Sequence, residues 1–268
     1  MNIVDRGSGP PIVLIPGIQG RWEYLQPAID ALSGSFRVIT FSLCDERSWH
    51  GGEPVQGFDG YADQIRAVLD DRRIARAAIC GVSFGGLIAL RFVAQHPSRA
   101  NALILVSTPS TGFQLRRRHE IYIRMPWILG PLFLVESPSR LRPELRAAIP
   151  DAAARRRFAR LALATLVRAP LSVSRMAARG RLLSRVDVRS DCDRIAAPTL
   201  VVTGERGLDY VVPVDASSAY SHLIRSAESA VIERTGHLGS ITRPDVFAAI
   251  VRDFVATRAG VRWPDAAA

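Results

Sequence analysis

Residues 80–86 read Cys-Gly-Val-Ser-Phe-Gly-Gly, and Ser83 within them is the side chain best placed for covalent chemistry. A serine hydroxyl is a weak nucleophile until it is held out of regular structure beside a base. Here the apolar run Ala77–Cys80 reads as a strand and Leu87–Gln95 as a helix, so Gly81-Val82-Ser83-Phe84-Gly85 makes the turn between them. A sharp strand-to-helix turn exposes the hydroxyl in strained backbone geometry. The glycines two residues to either side remove the Cβ atoms that would collide as the turn closes. The following helix aims free N–H groups at the point where an oxyanion would form. Taken alone, the same pentapeptide also describes a plain glycine turn.

Two further residues complete an acid–base set downstream. Pro198–Gly204 is a short β-branched run ending in glycine, a strand followed by a loop, and the loop carries Asp209 before Val211-Val212-Pro213. A second apolar run, Ala230-Val231-Ile232, leads to Thr235-Gly236-His237-Leu238-Gly239. An imidazole at His237 would take the proton from Ser83 and return it to a leaving group. A carboxylate at Asp209 would orient that imidazole and stabilise its charged form. Each residue has a plainer reading, Asp209 as a turn former and His237 as a surface loop histidine. Those readings would all have to hold together with the serine turn.

The elements that must position these groups alternate between strand and helix. Candidate strands are Ile3–Asp5, Ile12–Ile15, Arg37–Phe41, the run at Ile79, Leu103–Val106, the run from Thr199 and the run at Ile232. Candidate helices are Trp22–Leu32, Phe58–Asp71, Leu87–Gln95, Asp215–Leu223 and Val246–Ala256. This alternation predicts an α/β fold, a mostly parallel twisted sheet with helices on both faces. Between Pro109 and Thr199 the pattern turns helical. The predicted layout is therefore a core of 1–109 and 191–268 with an insert at 110–190.

With these landmarks in place the chain resembles the α/β-hydrolase family along nearly its whole length, in the branch with a serine nucleophile and a helical cap. Leu14-Ile15-Pro16-Gly17, with Trp22 beyond it, looks like the family's first strand-end turn. Gly81–Gly86 looks like its nucleophile elbow, Gly204 to Pro213 like its acid loop, and Gly236-His237 with Arg243–Phe247 like its histidine loop and last helix. Ser83, Asp209 and His237 stand in the family's order. The resemblance implies an oxyanion hole built from the backbone amides of Ile18 and Phe84. Pro16-Gly17 replaces the His-Gly often found there, a tolerable change because the donors are backbone groups. Arg206-Gly207-Leu208 lengthens the acid loop and makes Glu205 a rival acid; Asp209 is preferred because Val211-Val212-Pro213 follows it in the family's register. The resemblance leaves out the usual first strand, since so little precedes Gly7.

What the resemblance implies is hydrolysis of a carboxylic ester, lactone or thioester through a covalent acyl-enzyme. The same machinery serves C–C bond hydrolysis, perhydrolysis and acyl transfer, and some members bind ligands with little turnover. Serine rather than aspartate at the elbow argues against dehalogenase or epoxide hydrolase chemistry. No cofactor is implied, and no His/Cys/Asp cluster has metal-ligand spacing. Trp22, Trp127 and Leu238 are candidate pocket residues, though core packing would explain each as well.

The insert at 110–190 looks like the helical cap that many α/β-hydrolases carry, and charge singles it out. Residues 110–190 hold 17 Arg against 5 Asp and Glu, a net +12, while the remainder holds 18 Arg and 20 acids, a net −2, so the whole excess of +10 lies in that segment. Three readings stay open: a solvated helix face, steering of an anionic substrate, and contact with an acidic membrane surface through the apolar run Pro126–Val135 beside Arg116–His119. That run also reads as a lid helix over an apolar pocket. Nothing resembles a nucleic-acid recognition module. No run of about eighteen apolar residues is present, and Met1–Asp5 carries no basic and apolar leader. Cys44, Cys80 and Cys192 are odd in number and widely spaced, so the expectation is a cytoplasmic protein without disulfides. Oligomeric state is not legible.

Overall fold

The computed structural model describes residues 3–44, 57–111, 113, 117–183 and 186–260. The polar loop before Gly57, Arg116 and the tail after Gly260 lie outside them, as do most side chains of the Pro126–Val135 run.

Seven strands form one sheet among the described residues: β1 Ile3–Arg6, β2 Pro11–Ile15, β3 Arg37–Phe41, β4 Ala77–Val82, β5 Ala100–Val106, β6 Thr199–Thr203 and β7 Ala227–Val231. Their order is β1-β3-β2-β4-β5-β6-β7; β1 runs antiparallel to β3 and every other pair is parallel. Parallel strands joined through helices put cover on both faces, so their residues are apolar on both sides. The pleat then sorts them by alternation. Val13, Ile15, Ile79, Leu103, Leu105 and Val201 face one apolar layer. Ile12, Leu14, Ala78, Cys80, Ile104 and Val202 face the other.

Helices α1 Gln26–Leu32, α2 Gly57–Asp71 and α3 Phe84–Gln95 alternate with β2 to β5. Ten of the twelve residues of α3 are buried, which is why that helix is apolar all round rather than amphipathic. After β5 come four helices, α4 Arg117–Arg124, α5 Pro126–Ala148, α6 Ala152–Arg168 and α7 Val173–Leu183. Five more follow: α8 Arg189–Cys192, α9 Val214–Ser218, α10 Tyr220–Leu223, α11 Gly239–Thr242 and α12 Pro244–Arg258. The short α8 straddles the end of the 110–190 segment. It is tied to α3 through Asp191, 2% exposed, whose carboxylate meets Arg91 at 2.8 Å and Arg194 at 2.6 Å.

Some boundaries differ from the sequence reading for local reasons. The single helix expected over Trp22–Leu32 is a 3₁₀ turn, Trp22–Leu25, followed by α1. Pro27 sits in the first turn of α1, where its missing N–H costs nothing, so a new helix starts there. The helix expected over Asp215–Leu223 is likewise two short helices that meet at Ala219. β7 begins earlier than the Ala230–Ile232 run; its Glu228 and Ser229 face water at the sheet edge, a polarity that discourages edge-to-edge pairing.

Polar bonds help to moor the α4–α7 segment to the sheet domain. The Tyr24 hydroxyl donates to the Ala169 carbonyl at 2.8 Å. The fully buried Tyr220 donates to the Pro109 carbonyl at 2.7 Å, just before the segment begins. Among the described residues no single helix is long and apolar enough to cross a membrane; α6 and α7 together meet that test only as a pair bent by 100°. Losing a buried hydrogen bond and leaving its acceptor unpaired costs about 1–2 kcal/mol. Tyr220→Phe is therefore expected to lower unfolding stability by about that much, read as a lower urea midpoint at unchanged m-value.

Candidate active site

Ser83 stands at the C-terminal end of β4 with φ 55° and ψ −121°. Only glycine visits that region freely, so a serine there is strained. The conformation is held from several sides. Ser83 N–H donates to the Val106 carbonyl at 2.8 Å, which extends the β4–β5 ladder to the turn, and the Ser83 carbonyl accepts from Gly86 N–H at 2.9 Å. A Cβ at Gly81 would collide with the Gly85 carbonyl, and one at Gly85 would sit 2.5 Å from the carbonyl oxygens of Ile15 and Pro16. One glycine lets the turn close on itself and the other lets α3 seat against the end of β2.

The second turn lies against the first. A Cβ on Gly17 would be 3.6 Å from Cβ of Ser83 and 3.4 Å from the Val82 carbonyl. Gly20 closes this turn by donating its N–H to the Gly17 carbonyl at 2.8 Å, at a φ of +70° that suits glycine. Arg179, a buried residue of α7, donates to the Ile18 carbonyl at 2.9 Å. Both bonds engage carbonyls and leave the Ile18 N–H out. Phe84 N–H belongs to the first turn of α3, where no helical carbonyl lies one turn back to accept it. The Phe84 ring is locked against Phe58 at 5.2 Å and edge-on to Tyr61 at 5.8 Å, which fixes the backbone it belongs to.

Asp209 and His237 come together from two loops. Oδ2 of Asp209 lies 3.1 Å from Nδ1 of His237, with the two side chains 2% and 12% exposed. Oδ1 of Asp209 accepts from the amides of Val211 at 2.9 Å and Val212 at 2.8 Å. The pairing of Asp209 with His237 rests on backbone contact between the loops: a Cβ at Gly204 would strike the Thr235 carbonyl, and one at Gly236 would strike the Leu208 carbonyl. Glu205, the rival carboxylate, instead accepts from Arg234 N–H at 2.7 Å. Burial lowers the basicity of the His237 imidazole, but the charge and hydrogen bond of Asp209 and the charge of Glu144 outweigh it, so the imidazole sits above its ordinary 6.5. Ser83, Asp209 and His237 all follow the C-terminal ends of parallel strands, β4, β6 and β7, the sheet edge where open α/β sheets bind ligands.

The three candidate lining residues fare differently. Trp22 packs on the apolar layer that contains Val82 and Leu14. Leu238 is half-buried beside His237 and starts α11. Trp127 is 76% exposed in the first turn of α5. Two residues near the site escaped the sequence reading. Arg179 and Glu144 sit in the arginine-rich segment, where neither has a local motif, and both are buried against loops more than ninety positions away in sequence.

The strain at Ser83 has a measurable size. Ser83→Gly relieves it and Ser83→Ala keeps it, so the glycine variant is expected to be the more stable by about 1 kcal/mol in chemical denaturation. Equal stabilities would show that the turn stores no strain.

Comparison with known proteins agrees with this geometry. The sequence model of the "Alpha/beta hydrolase family" matches residues 12–250. The chain is 25% identical over 259 residues to the pimeloyl-[acyl-carrier protein] methyl ester esterase of Nitrosomonas europaea, covering 92% of this chain and 96% of that one. It is 26% identical over 273 residues to the 2-hydroxy-6-oxo-2,4-heptadienoate hydrolase of Pseudomonas putida, covering 95% and 92%. Among solved structures, the enol-lactonase of Burkholderia xenovorans superposes with a TM-score of 0.72 at 22% identity, over 95% of this chain and 96% of that one. The fold, the strained serine turn and a family match across nearly nine-tenths of the sequence agree, and the chain belongs to the α/β-hydrolase family.

Proposed function

We propose that this protein is a serine hydrolase that cleaves a carboxylic ester, lactone or thioester. The observation that carries the reading is the Asp209–His237 pair at 3.1 Å, buried at the sheet edge that also presents Ser83 in a strained turn. In this reading Ser83 Oγ attacks the acyl carbon and gives its proton to Nε2 of His237. Asp209 holds Nδ1–H and stabilises the imidazolium. The amides of Ile18 and Phe84 receive the charge that develops on the carbonyl oxygen. The imidazolium protonates the leaving group, and the neutral imidazole then draws a proton from water as that water attacks the acyl-enzyme. Residues 110–190, with α4–α7, act as the cap over a core of 1–109 and 191–268. The free thiols of Cys44, Cys80 and Cys192 favour a reducing, cytoplasmic setting.

The relative that hydrolyses a heptadienoate favours a second reading, C–C bond hydrolysis by the same residues. Both readings predict that a fluorophosphonate adds to the native protein and not to Ser83→Ala, seen by intact mass. Turnover of nitrophenyl esters supports the first; turnover of a vinylogous diketo acid with inert esters supports the second. No adduct on the folded protein would overturn the serine mechanism and leave a ligand-binding role.

On the preferred ester substrate, Asp209→Asn is expected to lower kcat by about 10²–10⁴-fold. The base must be neutral, and its basicity is raised, so kcat/KM should fall as pH drops through a midpoint above 6.5, the ordinary imidazole value. In Asp209→Asn that midpoint should move down, because the largest influence that raises it is gone. A midpoint at or below 6.5 in the native enzyme would contradict the assignment of His237.

A further inference from the structure

Glu144 of α5 is fully buried, and its Oε1 accepts from Leu238 N–H, the residue after His237, at 2.6 Å. Its other oxygen, Oε2, is buried and makes no well-formed hydrogen bond among the described residues. A buried carboxylate that lacks half its partners is costly, and a glutamine or an apolar side chain would fill the same space at less cost. The ionisable groups that act on it are His237 and Asp209, from the loops after β7 and β6. Burial pushes its carboxyl above the usual range; the Leu238 and Gly236 amides and the His237 imidazole pull it down, and the Asp209 charge pushes it up again. One carboxylate of the α4–α7 segment thus reaches the loop on which the proposed base stands.

We propose that Glu144 is a positioning residue for His237: it fastens α5 to the histidine loop and supplies a second negative charge, besides Asp209, to the imidazolium that forms when Ser83 gives up its proton. The inference rests on the reading of Ser83, His237 and Asp209 as the reacting set. It assigns α5 a part in the chemistry as well as in covering the cleft. With Glu144 in place the backbone of Leu238 is pinned and the imidazole is more basic.

The two parts separate by substitution. Glu144→Gln keeps an acceptor for Leu238 N–H and removes the charge. Glu144→Asp keeps the charge and withdraws it by one methylene, which breaks the bond. Glu144→Ala removes both. The readouts are the pH profile of kcat/KM and the NMR titration of the His237 ring, the second needing no turnover. Glu144→Gln is expected to lower the imidazole midpoint by about half a pH unit or more, with KM changed less than about threefold. Glu144→Asp should leave the midpoint near native while kcat falls about tenfold, and Glu144→Ala should show both effects. A purely structural glutamate would move the melting temperature and leave the midpoint alone.

If Glu144→Gln titrates with the native protein and Glu144→Ala keeps kcat within about twofold, the proposal is overturned while the serine mechanism stands. Full turnover by Ser83→Ala would overturn the serine mechanism, and with it any catalytic meaning for Glu144. Should Glu144→Ala not fold, the isosteric Glu144→Gln decides the question through the ring titration alone.

Discussion

Three stretches of backbone touch at Ser83, and most of the site depends on their being able to do so. The end of β2, the turn after β4 and the start of α3 approach more closely than any Cβ would permit, at Gly81 and Gly85. The turn is strained because it has to return the chain onto its own sheet within a few residues. The bond from Ser83 N–H to Val106 carries the strain into the β4–β5 ladder, where a fully buried apolar layer resists it. A second close approach, Gly204 and Gly236 against the facing loops, sets the Asp209 carboxylate beside the His237 imidazole. Glycine at these points is thus a requirement of distance rather than of flexibility.

Much of this was legible in the sequence because the controlling signals are local. A strand and a helix with six residues between them, and glycine on either side of a serine, leave few geometries for the turn. The strand–helix alternation gave the parallel sheet, since continuous apolar runs such as Leu103–Val106 are what a strand covered on both faces requires. Asp209 was preferred over Glu205 from the residues that follow it, and the structure puts Asp209 on the imidazole and Glu205 on Arg234 N–H. The break at Pro27 was readable in principle, because proline opens helices more readily than it continues them.

The illegible parts are those in which partners lie far apart in sequence. Nothing near Glu144 marks it among the arginines of its segment, and only the fold brings it to Leu238. Arg179 is one of 17 arginines between residues 110 and 190, yet among the described residues it is the one that is buried and bonded to the Ile18 carbonyl. Net charge therefore hides two kinds of residue. Most of the segment's arginines stand on solvated helix faces, as charge runs usually do, while Arg179 fixes a turn. Trp127 is the opposite case: its aromatic character suggested a pocket wall, and its side chain is 76% exposed.

Helix α6 has its own consequence. Asp151 caps its first turn, accepting from Ala154 N–H at 2.7 Å, and none of its residues is buried; Leu161, Leu163 and Val167 are more than 60% exposed. A substitution in the middle of α6 opens no cavity and strands no polar group, so the folded state exerts little selection on it beyond helix propensity. Sequence drift can accumulate there at almost no cost to the sheet, and descendants of this chain can acquire a new outer surface without disturbing Ser83, Asp209 or His237.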